Sequence, residues 1–380
     1  MRRAPSPALL VIRPPMRENG RFYEDPVGQE ATHLALRWKG RVLYTVPRES
    51  IGQRACWNAF RPGLAGIPLR AMARLQGVVG CAGRVEGPVV QRIRGVTGCD
   101  RGLTCCRAGA RGVWSKDTVL LLDADTAEPR YFAKIGAGAP VDALLRNEVS
   151  WLRRLSSIER LRTSLPEIVA HRSGEDVCFV AQSALSGQMQ FSLKDAHMDF
   201  IDELQKVQPE RLRYEESRLF RNVNQRLADL KGRLSLDWAS RLARAMQRMQ
   251  ELFSGSDLTF VAAHNDFTPW NIRLRDRVAL VFDWEYAEVQ QMPLFDPLHF
   301  ALMPDALAGR STERLIEKMG NGLRLCLARF GSERCYQPEG QALAYMTNLC
   351  TLYLWADPDG STSNPAVRSY AQAIDHLCRK

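Results

Sequence analysis

The chain has 380 residues, 45% of them hydrophobic and 25% charged, with a formal net charge of +10. That length and balance support a full core and two lobes or domains, and they exclude a fibrous or wholly disordered polymer. No apolar run approaches the roughly 18 residues that a membrane-spanning helix needs. The basic excess is N-terminal: residues 1–120 hold 20 Lys and Arg against 8 Asp and Glu, so this third carries +12 and the remainder −2. The arginines arrive singly, without interleaved aromatic residues, which reads as a solvated basic surface; no nucleic-acid partner is expected. The ten cysteines include one adjacent pair, Cys105 and Cys106, and no CxxC pair. Reduced thiols and a cytoplasmic location are the expectation.

In chain order, MRRAPSPALLVIRPP has a basic start, but its apolar part is only PALLVI and prolines flank it, so it is read as a disordered or loosely docked leader rather than a signal peptide. RVLYTVP reads as a strand. In RACWNAFRPG, Trp57 and Phe60 are set to pack on a body formed later. A short helical pattern spans Leu69 to Leu75, followed by the Gly-rich GVVGCAGRVEG. TVLLLDAD, the polar TAEPR and YFAKIG read as a β-hairpin. VDALLRNEVSWLRRLSSI repeats Leu144, Leu145, Val149, Leu152 and Leu155 at helical spacing. LPEIVAH and DVCFVAQSA are the next strands, the latter running out toward Gly187.

From about residue 190 the composition turns helical and charged, including ERLRYEESRLFRNVNQRLADLKGRL. LDWASRLARAMQRMQELF carries one apolar stripe of Trp238, Leu242, Ala245, Met246, Met249, Leu252 and Phe253, so its methionines belong to a core. Then come FVAAHNDFTPWNIRL and, nine residues after HNDFTPWN, VFDWE. The two segments read as a hairpin with acids at one end. The last seventy residues read as helices, with GSTSNP as a loop.

Transfer of a phosphoryl group requires a carboxylate at the attacking hydroxyl, oxygen ligands for Mg²⁺ and a fixed cation on the phosphates. Asp266 and Asn271 lie five apart on one loop, and Asp283 ends an apolar strand 17 residues beyond Asp266. HNDFTPWNIRL followed by VFDWE resembles the HxDxxxxN loop and downstream metal-binding aspartate of the aminoglycoside phosphotransferase and choline kinase group, small-molecule relatives of the protein kinases. The resemblance implies an α+β, bilobal protein-kinase-like fold with a small β-rich N-lobe and a larger, mainly helical C-lobe. It divides the chain into an extension (1–68), an N-lobe (69–182) and a C-lobe (183–380).

The resemblance further implies Asp266 as catalytic base or orienting carboxylate, with Asn271 and Asp283 holding Mg²⁺. His264 would brace the loop, Phe267 and Trp270 would pack, and Glu285 would be either a brace or a group behind the metal. Upstream, Lys134 in YFAKIG and Glu148 on the following helix match the strand lysine and helix acid that engage the nucleotide, ATP or GTP. A lysine between Phe132, Ala133 and Ile135 is costly to bury without such a partner.

No GxGxxG precedes the hairpin, so phosphate contacts fall to backbone amides around Gly112 to Ser115 or Lys116, and base contacts to backbone groups of Gln182 to Leu185. The acceptor implied is a small-molecule hydroxyl: an aminoglycoside, a choline-like alcohol, or a sugar or glycan precursor. Asp195, Asp199, Asp202 and Glu203 in DAHMDFIDEL are candidates to meet a cationic acceptor, or else a solvated helix face. The rival from another class is a catalytically silent relative that binds nucleotide or a partner, for instance in surface polysaccharide synthesis.

Overall fold

The computed structural model describes residues 33–38, 41–48, 50–60, 82–83, 88–100, 102–109, 114–357 and 361–379. The helical pattern expected from Leu69 to Leu75, the N-terminal leader, and Gly112 and Val113 of the expected phosphate loop lie outside these residues. The chain divides into two compact units, residues 1–153 with 166–186, and residues 154–165 with 187–380.

The first unit is built on an antiparallel sheet of order β3-β1-β2-β4-β5-β6-β8-β7. Its strands are β1 (His33–Trp38), β2 (Arg41–Pro47), β3 (Ala82–Gly83), β4 (Leu103–Arg107), β5 (Lys116–Leu122), β6 (Pro129–Gly136), β7 (Ile168–Arg172) and β8 (Cys178–Ser183). The expected hairpin is β5 and β6, paired from Lys116↔Gly136 to Leu122↔Pro129. Among the described residues, the helices that cover the sheet are α1 (Ser50–Phe60), α2 (Pro88–Thr97) and α3 (Ala139–Ser156). Strand alternation sends side chains to opposite faces. Cys56 and Trp57 of α1 pack with Tyr44, Leu120 and Leu122, while Val90 and Ile93 of α2 pack with Val119, Leu121 and Ala133. On α3, Val141, Leu145 and Val149 meet Cys178 and Val180.

Two expectations change here. The segment read as an extension contributes β1, β2 and α1, and β2 bonds to β4 at Tyr44↔Arg107 and Thr45↔Cys106, so its described part is continuous with the sheet. Nor are all the thiols reduced. Cys56 and Cys105 are joined as a disulfide because α1 lies on the face to which Cys105 points. Adjacent Cys106 points to the other face and stays buried and free.

The second unit is mainly helical: α4 (Glu159–Arg162), α5 (Asp195–Gln205), α6 (Arg218–Asp229), α7 (Leu236–Phe253), α8 (Phe295–Leu307), α9 (Thr312–Arg334), α10 (Pro338–Ala356) and α11 (Pro365–Leu377). Side-chain caps begin several of them: Ser217, Ser235, Ser311 and Asn364 each accept an N–H from the first turn. The predicted stripe of α7 is buried at Trp238, Leu242, Ala245, Met246, Met249 and Phe253. Helices α8 and α10 are buried on nearly all sides, which makes any polar group on them dependent on an internal partner. Among the described residues no helix is long and apolar enough to cross a membrane.

One helical expectation is corrected. ERLR, residues 210–213, is strand β9 (Glu210–Arg213), paired with β10 (Asp257–Ala263), whose other neighbour is β13 (Glu288–Gln291). Exposed Arg211 and Arg213 alternate with half-buried Glu210 and Leu212 along an edge strand, a pattern that composition alone renders as helical. The expected hairpin between the two acidic segments is β11 (Ile272–Arg275) and β12 (Val278–Val281), turned by Asp276 and Arg277 at φ 49° and 65°. Gly187 lies against β11 where a side chain would meet the Leu274 carbonyl at 2.7 Å. Gly340 in α10 is likewise pressed on the buried Phe253 ring, which a Cβ would reach at 2.9 Å. Gly340→Ala is therefore expected to lower the thermal unfolding midpoint, although the same exchange in an open helix stabilises by about 1 kcal/mol.

Candidate active site

In the first unit, Lys134 stands mid-strand on β6, in register with Thr118 and Val180. Cross-strand partners share a face, so Lys134 lies on the face that α3 covers through Val180. Its ammonium donates to Glu148 Oε1 at 2.9 Å and Oε2 at 2.8 Å. The side chains are 13% and 0% exposed, so this is a buried pair rather than a surface ion pair. Both carboxylate oxygens bear on one cation, which fixes the direction of the lysine. At the expected base-binding connection, the Ser183 N–H donates to the Glu167 carbonyl and the Ala184 N–H to the Arg130 carbonyl, so these two amides are spent within the unit. Gln182 Oε1 is buried without a hydrogen-bond partner.

In the second unit the HNDFTPWN loop leaves β10 and enters a single helical turn at Pro269–Asn271. Its entry is held by Asp296, at the start of α8, whose carboxylate accepts the His264 N–H at 2.7 Å and the Asn265 N–H at 2.9 Å. Burial raises the titration of Asp296 to about 6, against the pull of the two amides. The His264 ring braces the loop from inside: Nδ1 accepts the Asp266 N–H at 3.2 Å, so Nε2 is the donor to the Phe282 carbonyl at 3.1 Å. Phe267 is fully buried and stacked on Phe200, as expected for packing, whereas Trp270 is half-exposed and departs from that expectation.

Asp266 is thus placed from several sides. Asn271 Nδ2 donates to its Oδ2 at 2.7 Å and to its carbonyl at 3.1 Å; His299 Nε2 meets its Oδ1 at 3.2 Å. Burial pushes the carboxyl upward from its ordinary range; the His299 hydrogen bond opposes this, and the charges of Asp283 and Glu285 add to it. Asn271 spends its amide nitrogen on Asp266, which leaves Oδ1 as the side-chain atom with the chemistry of a metal ligand. Asp283 follows β12 in the left-handed region at φ 72°, ψ 58°, a conformation that costs a non-glycine residue energy and collects at functional sites. Buried Trp284, whose Nε1 donates to the Val281 carbonyl at 3.0 Å, holds that turn. Glu285 is buried in the same turn. An amide oxygen beside carboxylates is a hard-oxygen donor set suited to Mg²⁺.

The acidic residues of DAHMDFIDEL are not gathered at this site. Asp199 pairs with Arg329, Asp202 with Arg334 and Lys206, and Glu203 with Arg160 and Lys206, while Asp195 is exposed at the first turn of α5. Asp296 and His299 went unread in the sequence. Their signal was two ionisable residues three apart in the apolar run FDPLHFALM, which must find partners when buried.

The model of the phosphotransferase enzyme family matches residues 108–315, over half of the chain, a range that holds Lys134, Glu148, Asp266, Asn271, Asp283, Asp296 and His299. The chain belongs to that family. Among curated protein sequences none matches. Similar solved structures include a thermostable mutant of aminoglycoside phosphotransferase APH(4)-Ia in ternary complex with ADP and hygromycin B, with 13% identity, 72% of this chain and 93% of that chain covered, and a TM-score of 0.49. A gentamicin–APH(2")-IIa complex shares 14% identity over 78% and 97% of the two chains, with a TM-score of 0.46. A choline/ethanolamine kinase family protein from Mesorhizobium loti shares 16% over 72% and 86%, with a TM-score of 0.48.

Two predictions test the supports of the site. Asp296→Ala leaves two buried amides without an acceptor and is expected to cost about 2–4 kcal/mol in denaturant unfolding, with Asp296→Asn between it and wild type. Glu148→Ala removes the carboxylate that both holds and directs the buried Lys134 ammonium and is expected to cost about 3 kcal/mol, most of which the double change Lys134→Met, Glu148→Leu should recover.

Proposed function

We propose that this protein is a Mg²⁺-dependent phosphotransferase that moves the γ-phosphoryl group of ATP or GTP to a hydroxyl of a small molecule. The observation that carries this reading is Asp266, a carboxylate held by Asn271 and His299 beside Asp283 and Glu285, in a chain of the phosphotransferase family. Asp266 accepts or orients the acceptor hydroxyl, while Asn271 Oδ1 and Asp283 hold the metal. Bound there, Mg²⁺ would neutralise charge on the phosphate oxygens. Lys134, directed by Glu148, supplies the fixed cation for the phosphates. Little covalent work is left to the protein, so positioning and electrostatic stabilisation carry catalysis.

The acceptor is an aminoglycoside, a choline-like alcohol, or a sugar or glycan precursor. The ion pairs of Asp199, Asp202 and Glu203 remove the main sequence-based reason to favour a cation, which brings the sugar class level with the others. A cytoplasmic location, where the nucleotide is supplied, is part of the same proposal.

The test is thermal unfolding with Mg·ATP and Mg·GTP, with and without EDTA, since a ligand of the native state raises the midpoint. Wild type is expected to show a metal-dependent rise with at least one nucleotide. Asp283→Gly should lose that rise while still unfolding cooperatively, because glycine takes φ 72° without a Cβ penalty. Asp266→Asn should keep nucleotide binding and lose turnover by about 100-fold or more. Absence of any shift in wild type would overturn the assignment in favour of a silent relative.

A further inference from the structure

Behind Asp266 the second unit buries a row of polar groups, of which the proposed reaction has so far used only His299. His299 Nε2 meets Asp266 Oδ1 at 3.2 Å, the Tyr345 hydroxyl lies 3.0 Å from His299 Nδ1, and the Tyr370 hydroxyl lies 3.0 Å from that of Tyr345. The three side chains come from α8, α10 and α11, and all are buried. Tyr345 and Tyr370 lie beyond the stretch matched by the family model.

The protons of this row can be counted. Three contacts need three protons, and an ionised Asp266 brings none. A neutral His299 brings one, and each tyrosine brings one; burial pushes both hydroxyls well above their ordinary titration range, so they keep them. If Nδ1 carried the imidazole proton, the Nε2 lone pair would face the lone pairs of Asp266 Oδ1. With a neutral imidazole and an ionised Asp266, every contact is satisfied only when Tyr370 donates to Tyr345, Tyr345 donates to Nδ1, and Nε2–H donates to Asp266. The row therefore has one direction, and it ends on the carboxylate.

We propose that His299 is a positioning residue, kept as the Nε2–H imidazole by the Tyr345–Tyr370 pair so that it holds one oxygen of Asp266 while Asn271 holds the other. This rests on reading Asp266 as the carboxylate that meets the acceptor. The terminal torsion of an aspartate is broad, and one donor leaves the carboxylate free to swing about it. Two donors, one on each oxygen, fix its plane. An acceptor hydroxyl must lie within hydrogen-bond reach of that carboxylate, where an error of about 1 Å costs on the order of 100-fold. Packing alone would be served by an apolar side chain on α8, and it would not require hydroxyls from two further helices.

The experiment uses the full-length protein and two readouts. Long-range ¹H–¹⁵N NMR reads the tautomer of His299, assigned by the signal missing in His299→Gln, and needs no turnover. The Nε2–H form is expected; the Nδ1–H form or a charged imidazolium in wild type would overturn the proposal. The second readout is turnover of Mg·ATP to ADP with water as acceptor. Tyr345→Phe keeps the ring and loses the hydroxyl, and should lower kcat about ten-fold with KM for Mg·ATP within about two-fold of wild type. His299→Gln, which offers an N–H at similar reach, should retain more kcat than His299→Leu. Equal kcat for these two variants at equal unfolding midpoints would overturn the proposal, as would a Tyr345→Phe enzyme with wild-type kcat. Should His299→Leu fail to fold, Tyr345→Phe and the wild-type tautomer decide. A wild type inert toward Mg·ATP would count against the phosphotransferase reading, and the tautomer would still decide this one.

Discussion

A single buried carboxylate, Asp296, accepts the amides of His264 and Asn265, and the geometry of the HNDFTPWN loop depends on that grip. Two successive N–H groups can reach one carboxylate only if the backbone turns sharply there, and Asn265 sits at φ 63° in consequence. The turn aims the His264 ring inward, where it ties the amide of Asp266 to the carbonyl of Phe282 and so relates the loop to the turn that carries Asp283. Asp296 can do this because α8 is immersed in the second unit. Burial raises its titration toward neutrality, and the two amides offset much of the cost of keeping it charged.

Charge is handled differently elsewhere in the chain. In the first unit a lysine and a glutamate satisfy each other across a strand and a helix, with little solvent at either. In the second unit the charges of Asp283 and Glu285 act on Asp266 in the same direction as its burial, and the His299 hydrogen bond opposes them. On α5, Asp199, Asp202 and Glu203 are met by arginines and lysines of the same unit.

Much of the local structure could be read ahead. The hairpin of β5 and β6, the stripe of α7 and the positions of Lys134, Asp266, Asn271 and Asp283 follow from period, turn chemistry and spacing. The misreadings share a cause. ERLR is a strand because β10 lies beside it, and Cys105 finds Cys56 because α1 lies on its face; both partners are more than forty residues away. Trp270 stays half-exposed in a loop whose neighbour Phe267 is fully buried, a difference made by the packing around Phe200.

The sequence by itself determined that Asp266, Asn271 and Asp283 lie close along the chain, because the spacing of HNDFTPWN and VFDWE limits where a short loop and a strand end can place their side chains. Only the tertiary structure decided how those acids are held. Helices α8 and α10 are buried on so many sides that their pattern carries no face and hence no orientation, and the apolar face of α11 does not say which helix it meets. Asp296, His299, Tyr345 and Tyr370 acquire their roles once packing turns these helices toward the loop. Hydrogen bonds between groups up to 46 residues apart leave no period in a sequence.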